Sequence, residues 1–306
     1  MRCQACHETA VISTSNGTFC RRHFIGAFER TTLDTIETYG LVKPTETIAI
    51  ANSGGKDSLS LLHVVAKYFK GSNKLVSITI DEGISGYRDK TIDTMKKYCS
   101  KYGVEYRIYS YKDFTGETMD VITHLKPGVP CATCGVLRRY LLNAAAIDCG
   151  ADKIATAHNM DDEAENVLMN LLQNDFEKLL RLGPISGITS RKGFVPRVKP
   201  FMFLSEKETM LFSILNGINA EHKPCPYAGF GFRGVVSRKL KELESVSTGA
   251  KRSIIDKMLQ VRASHGSGTG EPHRELFYCD ICGAPTSEEV CEACNIKAQI
   301  KRLKRP

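Results

Sequence analysis

The residues with the type and spacing to do chemistry fall into three groups. The first is Ser53-Gly54-Gly55-Lys56-Asp57-Ser58, placed where the apolar run Thr47-Ile48-Ala49-Ile50-Ala51 turns into the helical pattern Ser58 to Val65. A strand-to-helix turn of this composition offers backbone N–H groups, two glycine approaches, a cation and hydroxyls at a helix N-terminus, which is the chemistry of phosphate binding. It is not a Walker A loop, which places four residues between its first Gly and its Gly-Lys pair. Cysteines form the second group. Cys3-x2-Cys6 is followed after thirteen residues by Cys20-x2-His23, and Cys279-x2-Cys282 after eight by Cys291-x2-Cys294, while Cys131-x2-Cys134 and a lone Cys225 lie between. The third group is acidic, Asp161-Asp162-Glu163 after His158-Asn159-Met160.

Two close pairs separated by a short loop converge on one tetrahedral ion, so Cys3, Cys6, Cys20 and His23 are expected to form one zinc ribbon and Cys279, Cys282, Cys291 and Cys294 a second. With four protein ligands each, both sites read as structural. His7 adjoins the first motif at an offset that breaks the paired spacing and is expected in solvent. Cys99 and Cys149 fall in helical patterns and read as small buried apolar side chains. The chain has twelve cysteines in 306 residues, enough length to bury a full core without disulfide staples. A net charge of +8 favours a polyanionic partner. No stretch approaches the roughly 20 apolar residues that cross a bilayer, and Met1-Arg2-Cys3 leads into a cysteine motif instead of a signal peptide, so a cytoplasmic protein is expected.

These groups need a scaffold, and the pattern between the terminal cysteine pairs alternates strand and helix, the mark of an α/β parallel sheet covered on both faces. Strands are expected at Thr47–Ala51, Leu75–Ile80, Val104–Tyr109 and Lys153–Ala157, and helices near Arg88–Tyr102, Val136–Ile147 and Asp161–Leu168. Right-handed crossovers place the strand C-termini on one edge, where the phosphate turn, Asp81-Glu82 and His158-Asn159 converge. Residues 201–263 read as a helical subdomain, with apolar spacing over Glu206–Leu215 and Val235–Leu243. Four segments follow: a ribbon at 1–25, the nucleotide domain at 26–200, the helical subdomain with Cys225 at 201–263, and at 264–306 a Gly/Ser linker, the second ribbon and a basic tail with Lys301-Arg302 and Lys304-Arg305.

Cys131 and Cys134 stand at the mouth of a helix, which lowers thiol pKa, and Pro224 and Pro226 stiffen the backbone at Cys225. A redox pair, a zinc site one ligand short, and three thiolates on an iron–sulfur cluster with one iron free of protein ligands all suit these residues.

SGGKDS resembles the PP-loop of the ATP pyrophosphatases, which adenylate a carbonyl oxygen and release pyrophosphate. With Pro130-Cys131-Ala132-Thr133-Cys134-Gly135, Lys223-Pro224-Cys225-Pro226-Tyr227 and paired cysteines at both ends, essentially the whole chain resembles the tRNA 2-thiouridine synthetases of the TtuA and cytoplasmic tRNA 2-thiolation protein 1 type. The resemblance implies an adenine nucleotide α-hydrolase-like sheet and a 4Fe-4S cluster on Cys131, Cys134 and Cys225. It implies a basic catalytic residue at Arg138, where the family often has lysine. Arginine keeps the charge and loses the amine, so its role is electrostatic. His158-Asn159-Met160-Asp161-Asp162-Glu163 resembles the family's second ATP motif, with Asp162 the first choice and Asp161 the second for the catalytic aspartate.

The implied reaction replaces the 2-oxygen of a tRNA uridine by sulfur. Ser53, Gly54, Gly55, Lys56 and Ser58 would hold the pyrophosphate part of ATP, and Ala51, Ile80 and Ala157 would frame the adenosine. Asp57 and Asp162 would hold magnesium or orient the reacting groups, and the free iron would carry hydrosulfide. An alternative runs the same reaction through a cysteine persulfide, and a different class is a zinc-ribbon RNA-binding adaptor. A third, an amidotransferase-like enzyme, would need free ammonia, since no glutaminase segment is present. The modified uridine is at position 34 or 54. An external sulfur donor is implied, a ubiquitin-like thiocarboxylate protein or sulfide, and the family resemblance implies a homodimer.

Overall fold

A computed structural model describes residues 1–14, 17–125, 130–186, 193–221, 224–228, 231–265 and 277–304. The N-terminal hairpin pairs β1 (Ile12–Thr14) with β2 (Gly17–Phe19) and leads into α1 (Arg21–Thr38). The α/β body runs β3 (Thr47–Ala51), α2 (Lys56–Phe69), β4 (Lys74–Asp81), α3 (Arg88–Tyr102), β5 (Glu105–Ser110), α4 (Tyr111–Thr115), α5 (Met119–Leu125), α6 (Pro130–Asp148), β6 (Lys153–Ala155) and α7 (Met160–Leu172). After α8 (Phe176–Leu180) come β7 (Ile185–Ser186), β8 (Arg197–Val198), α9 (Glu206–Leu215), α10 (Phe232–Val246) and α11 (Ala250–Ser264). The chain closes with the hairpin β9 (Phe277–Tyr278) and β10 (Pro285–Thr286) and with α12 (Glu292–Leu303). The expected Gly/Ser linker lies outside the described residues from 266 to 276, as does Arg305.

The central sheet has the order β5-β4-β3-β6-β8-β7. All its neighbours are parallel except β7, which runs antiparallel to β8. The alternation of β3 divides the core. Ile48 and Ile50 pack with Leu61, Leu62 and Val65 of α2 and with Phe28 of α1, whereas Ala49 faces Leu137, Leu141 and Ala145 of α6 and Ile296 and Ile300 of α12. Phe28 stacks on Phe212 of α9 with ring centroids 4.0 Å apart. Each such fully buried apolar side chain contributes about 1.5–3 kcal/mol relative to exposure.

Several expected elements differ in detail. β5 begins and ends one residue later than its pattern, and β6 stops at Ala155. α6 starts at Pro130, six residues before the expected Val136, because proline has no N–H to lose at the first helical position and its φ suits the turn. Cys131 and Cys134 therefore lie within the first turns of the helix. Cys149 follows the last residue of α6 and is half-buried, while Cys99 is fully buried in α3. β7 and β8 extend the sheet beyond the four expected strands, and at two residues each they carry no readable period.

α1 passes through residue 25 without a break and buries Phe24 and Phe28 in the main core, so the first ribbon and the body share a helix. Likewise the helices after Phe201 pack on the body: Val236 and Leu240 of α10 meet Ala164 of α7, and Ile255 and Met258 of α11 meet Met160 and Val167. No helix among the described residues is long and apolar enough to cross a membrane.

Candidate active site

Adjacent parallel strands β4, β3 and β6 bring their C-terminal ends to one edge, and the phosphate turn rises from the middle of the three. Gly54 has φ +78° and its absent Cβ would fall 2.0 Å from the Thr91 carbonyl oxygen, so only glycine permits this approach of the turn to α3. The turn is held from within: Gly54 N donates to Asn52 Oδ1 at 3.0 Å, Gly55 N to Ser53 Oγ at 3.3 Å, and Ser58 Oγ to the Gly55 carbonyl at 3.0 Å. No side chain caps α2, which leaves its N-terminus facing outward to an anion. Lys56 Nζ lies 2.8 Å from Asp57 Oδ2 and 3.8 Å from Glu206 Oε1, and Asp57 Oδ1 is buried without a hydrogen-bond partner among the described residues.

Across the edge, α7 begins with a reciprocal cap. Asn159 Oδ1 accepts from Asp161 N and Asp162 N, and Asp162 Oδ2 accepts from Asn159 N at 3.1 Å. The two aspartates then part company. Asp161 is buried, with Oδ1 against Lys251 Nζ and Oδ2 accepting from Glu206 N at 2.8 Å, so it ties α7 to α9 and α11. Asp162 stays one-third exposed and meets Arg233 at 2.8 Å. His158, close by, is lowered to about 4 by burial and then by the Lys199 charge, so its ring is neutral at neutral pH.

Burial raises the Asp162 carboxyl to about 6 against the pull of Arg233 and the Asn159 N–H, with Glu165 and Asp57 adding to the rise. The folded chain thus holds this proton more tightly than the unfolded one. The contribution of the group to stability is present at acid pH and is lost as pH rises through about 6. Carbon-13 titration of metal-free protein should place the Asp162 midpoint at about 6, and Arg233→Ala should move it higher. An ordinary midpoint, about 4, would contradict this environment.

The third cysteine set stands on the other side of β4. Cys134 Sγ receives Arg138 Nη2 at 3.2 Å and lies 3.2 Å from the Tyr111 hydroxyl. Cys131 Sγ lies 3.4 Å from the Tyr227 carbonyl, which brings the Cys225 turn against the start of α6, and Tyr227 is anchored by donating to Asp120 at 2.8 Å. Cys131 is exposed, and Cys134 and Cys225 are half-buried. Burial works against the Arg138 charge, but Glu82 first and then Cys134 hold it, so the guanidinium keeps its proton more firmly than usual.

Each terminal group gathers four ligand atoms within 4.8 Å of one another. Tetrahedral zinc with Zn–S of about 2.3 Å sets sulfurs roughly 3.8 Å apart. The Cys6–Cys20 and Cys282–Cys291 sulfurs are both 3.7 Å apart, and His23 Nδ1 is 3.5 Å from Cys3 Sγ and 3.4 Å from Cys20 Sγ. His7 is exposed and outside the group.

Residues 27–211 match the PP-loop domain family. The chain is 37% identical over 288 residues to the cytoplasmic tRNA 2-thiolation protein 1 of Chlamydomonas reinhardtii, covering 92% of this chain and 79% of that protein. This chain belongs to the PP-loop tRNA 2-thiolation family. A further relative, the tRNA 2-thiolation protein NcsA of Haloferax volcanii, is 31% identical over 99% of this chain and 100% of its own. Among solved structures the U34-tRNA thiolase NcsA of Methanococcus maripaludis, with its 4Fe-4S cluster, superposes with a TM-score of 0.83 at 32% identity, covering 97% of this chain and 96% of that one.

Several residues of this family member that shape the site were given no role by its sequence, and Glu82 was placed only at the sheet edge. Glu82 is buried between Arg88, 2.6 Å away, and Arg138, 2.9 Å away. Arg88 also donates to the Ser53 carbonyl at 2.9 Å and to that of Ile80. Arg233 comes from α10 to Asp162 and Glu165, and Lys241 from the same helix to Glu206 at 3.1 Å. Only Glu82 had a visible cue, its place directly after a strand.

Proposed function

We propose that this chain is an ATP-dependent tRNA-uridine 2-sulfurtransferase. The observation that carries the reading is a continuous line of contacts from the phosphate turn to the sulfur site. Ser53 O accepts from Arg88, Arg88 meets Glu82, Glu82 meets Arg138, and Arg138 donates to Cys134 Sγ. A site that activates an oxygen with ATP and a site that supplies sulfur need this proximity. The U34 specificity of the Methanococcus thiolase supports uridine 34 as the target.

In this mechanism the uridine O2 attacks the α-phosphorus of ATP and pyrophosphate leaves. A hydrosulfide-level sulfur then adds to C2, and AMP departs with the original oxygen. Gly54, Gly55, Lys56 and Ser58 bind the pyrophosphate portion, with the Lys56 ammonium and the α2 N-terminus stabilising charge that grows as the bond breaks. Asp57, whose Oδ1 is buried without a hydrogen-bond partner among the described residues, and Asp162, the less engaged of the two aspartates, would hold magnesium, which when bound would spread the phosphate charge. Asp161 positions the edge through Lys251 and Glu206. Arg138 faces the reacting carbonyl and the sulfur ligand as a fixed cation.

Cys131, Cys134 and Cys225 would hold a 4Fe-4S cluster: they are three soft thiol donors, and the Tyr227 carbonyl 3.4 Å from Cys131 Sγ brings the Cys225 turn to the start of α6. When bound, such a cluster supplies an iron with an open coordination position for sulfur. Zinc at the two terminal groups fastens the ribbons. The external sulfur donor and a homodimer follow from the family resemblance.

The test is anaerobic: reconstituted protein with ATP, Mg²⁺, sulfide and unmodified tRNA should form 2-thiouridine and AMP in equal amounts, scored by mass spectrometry. Sulfur incorporation without ATP, or AMP formation without thiolation, would overturn the reading.

A further inference from the structure

A groove of about 550 Å³ lies between α6, residues 193–197 and the C-terminal ribbon. It is a built feature. Asn143 of α6 donates to the Gly193 carbonyl at 2.8 Å and accepts from Val195 N at 3.0 Å, fixing one wall. Gly193 has φ +97°, and a Cβ there would fall 2.7 Å from Pro285 Cγ, so this glycine lets the wall close on the ribbon.

Two guanidiniums, Arg139 and Arg197, line the groove, and neither has a hydrogen bond or ion pair among the described residues. One carboxylate, Glu292, also lines it and pairs with neither. Both arginines hold their protons less firmly than usual, by burial first and, for Arg197, by the charge of Arg139 next. Two like charges left facing each other beside an apolar wall are a cost to the free protein that an anion removes. The groove and the sulfur site share α6: the Arg139 guanidinium folds back to within 3.4 Å of where a Gly135 Cβ would sit, one residue from Cys134.

We propose that this groove binds a single-stranded stretch of the tRNA next to the target uridine, with Arg139 and Arg197 on phosphates and Phe194 under an unstacked base. Single-stranded RNA is held by cationic groups combined with aromatic rings, and the half-buried Phe194 supplies the ring here. An acidic polypeptide would answer the guanidiniums but has no need of the ring between them. The proposal rests on the tRNA reading above.

The test uses the anaerobic holoprotein and unmodified tRNA transcript, with binding measured by anisotropy over a range of salt. Arg139→Ala/Arg197→Ala should weaken binding by about tenfold or more and reduce the slope of log K against log salt by about 1.4, the value for two phosphates on a single strand. Arg139→Lys/Arg197→Lys should recover most of the slope. Iron and zinc content should stay at parent values, and the single change Arg139→Glu, in the groove wall on α6 and outside the sheet, should weaken binding further than Arg139→Ala. Unchanged affinity and slope in the variants would overturn the groove as an RNA site while leaving the thiolase reading intact. If the parent protein itself failed to bind tRNA, the functional reading would fall and the groove with it. Intact tRNA binding, combined with lost thiolation only when sulfur arrives on a protein donor, would give the groove to that donor and overturn the proposal.

Discussion

Changing any one of Cys131, Cys134 and Cys225 to Ala is expected to remove essentially all iron and all 2-thiouridine formation, even with excess sulfide. The three thiols act as one set if they hold a cluster, so no member is dispensable. A persulfide carried on one cysteine makes a different forecast, because added sulfide bypasses the carrier and one of the three then matters less. Iron content and thiouridine are read on the same anaerobic samples. A variant without cluster that still thiolates would reject the cluster as the sulfur site. Zinc should stay at two per chain in all three variants, since neither terminal group shares a ligand with this set.

Lys56→Ala is expected to cut AMP formation by about 10²–10³-fold, the cost of removing one preorganised donor from a developing charge. Folding should survive, since among the described residues the Lys56 ammonium meets only Asp57 and, at 3.8 Å, Glu206. Pyrophosphate release and tRNA affinity measured together separate the effects, for only the first should fall. A wild-type rate of adenylation would remove Lys56 from the phosphate site.

The parts of this molecule that were legible in the sequence share a physical property: their geometry is set by near neighbours. Gly54 and Lys56 follow a strand and open a helix, the x2 cysteine pairs close on themselves, and Arg138 stands one turn beyond Cys134, where the structure finds a 3.2 Å contact. The illegible parts are pairings across long stretches of chain. Arg233 reaches Asp162 from 71 residues away, and Lys251 reaches Asp161 from 90. No periodicity records such a meeting, because it is created by α10 and α11 packing on α7. Choosing between Asp161 and Asp162 depended on just those partners. The start of α6 was obscured for another reason, that proline signals both a loop and a first helical turn.

Both ends of the chain are fastened in the same way. Cys20 caps α1 and His23 sits in its first turn, while Cys291 caps α12 and Cys294 sits in its first turn; each helix then carries apolar side chains into the core, Phe24 and Phe28 from one and Ile296 and Ile300 from the other. With zinc in both groups as proposed, metal binding and the docking of these two helices would be coupled. An ion that binds only the folded arrangement adds about 4 kcal/mol when its free concentration is roughly a thousandfold above Kd. A chelator would then strip that increment from the folded chain and lower its melting temperature, leaving the central sheet to its own apolar core.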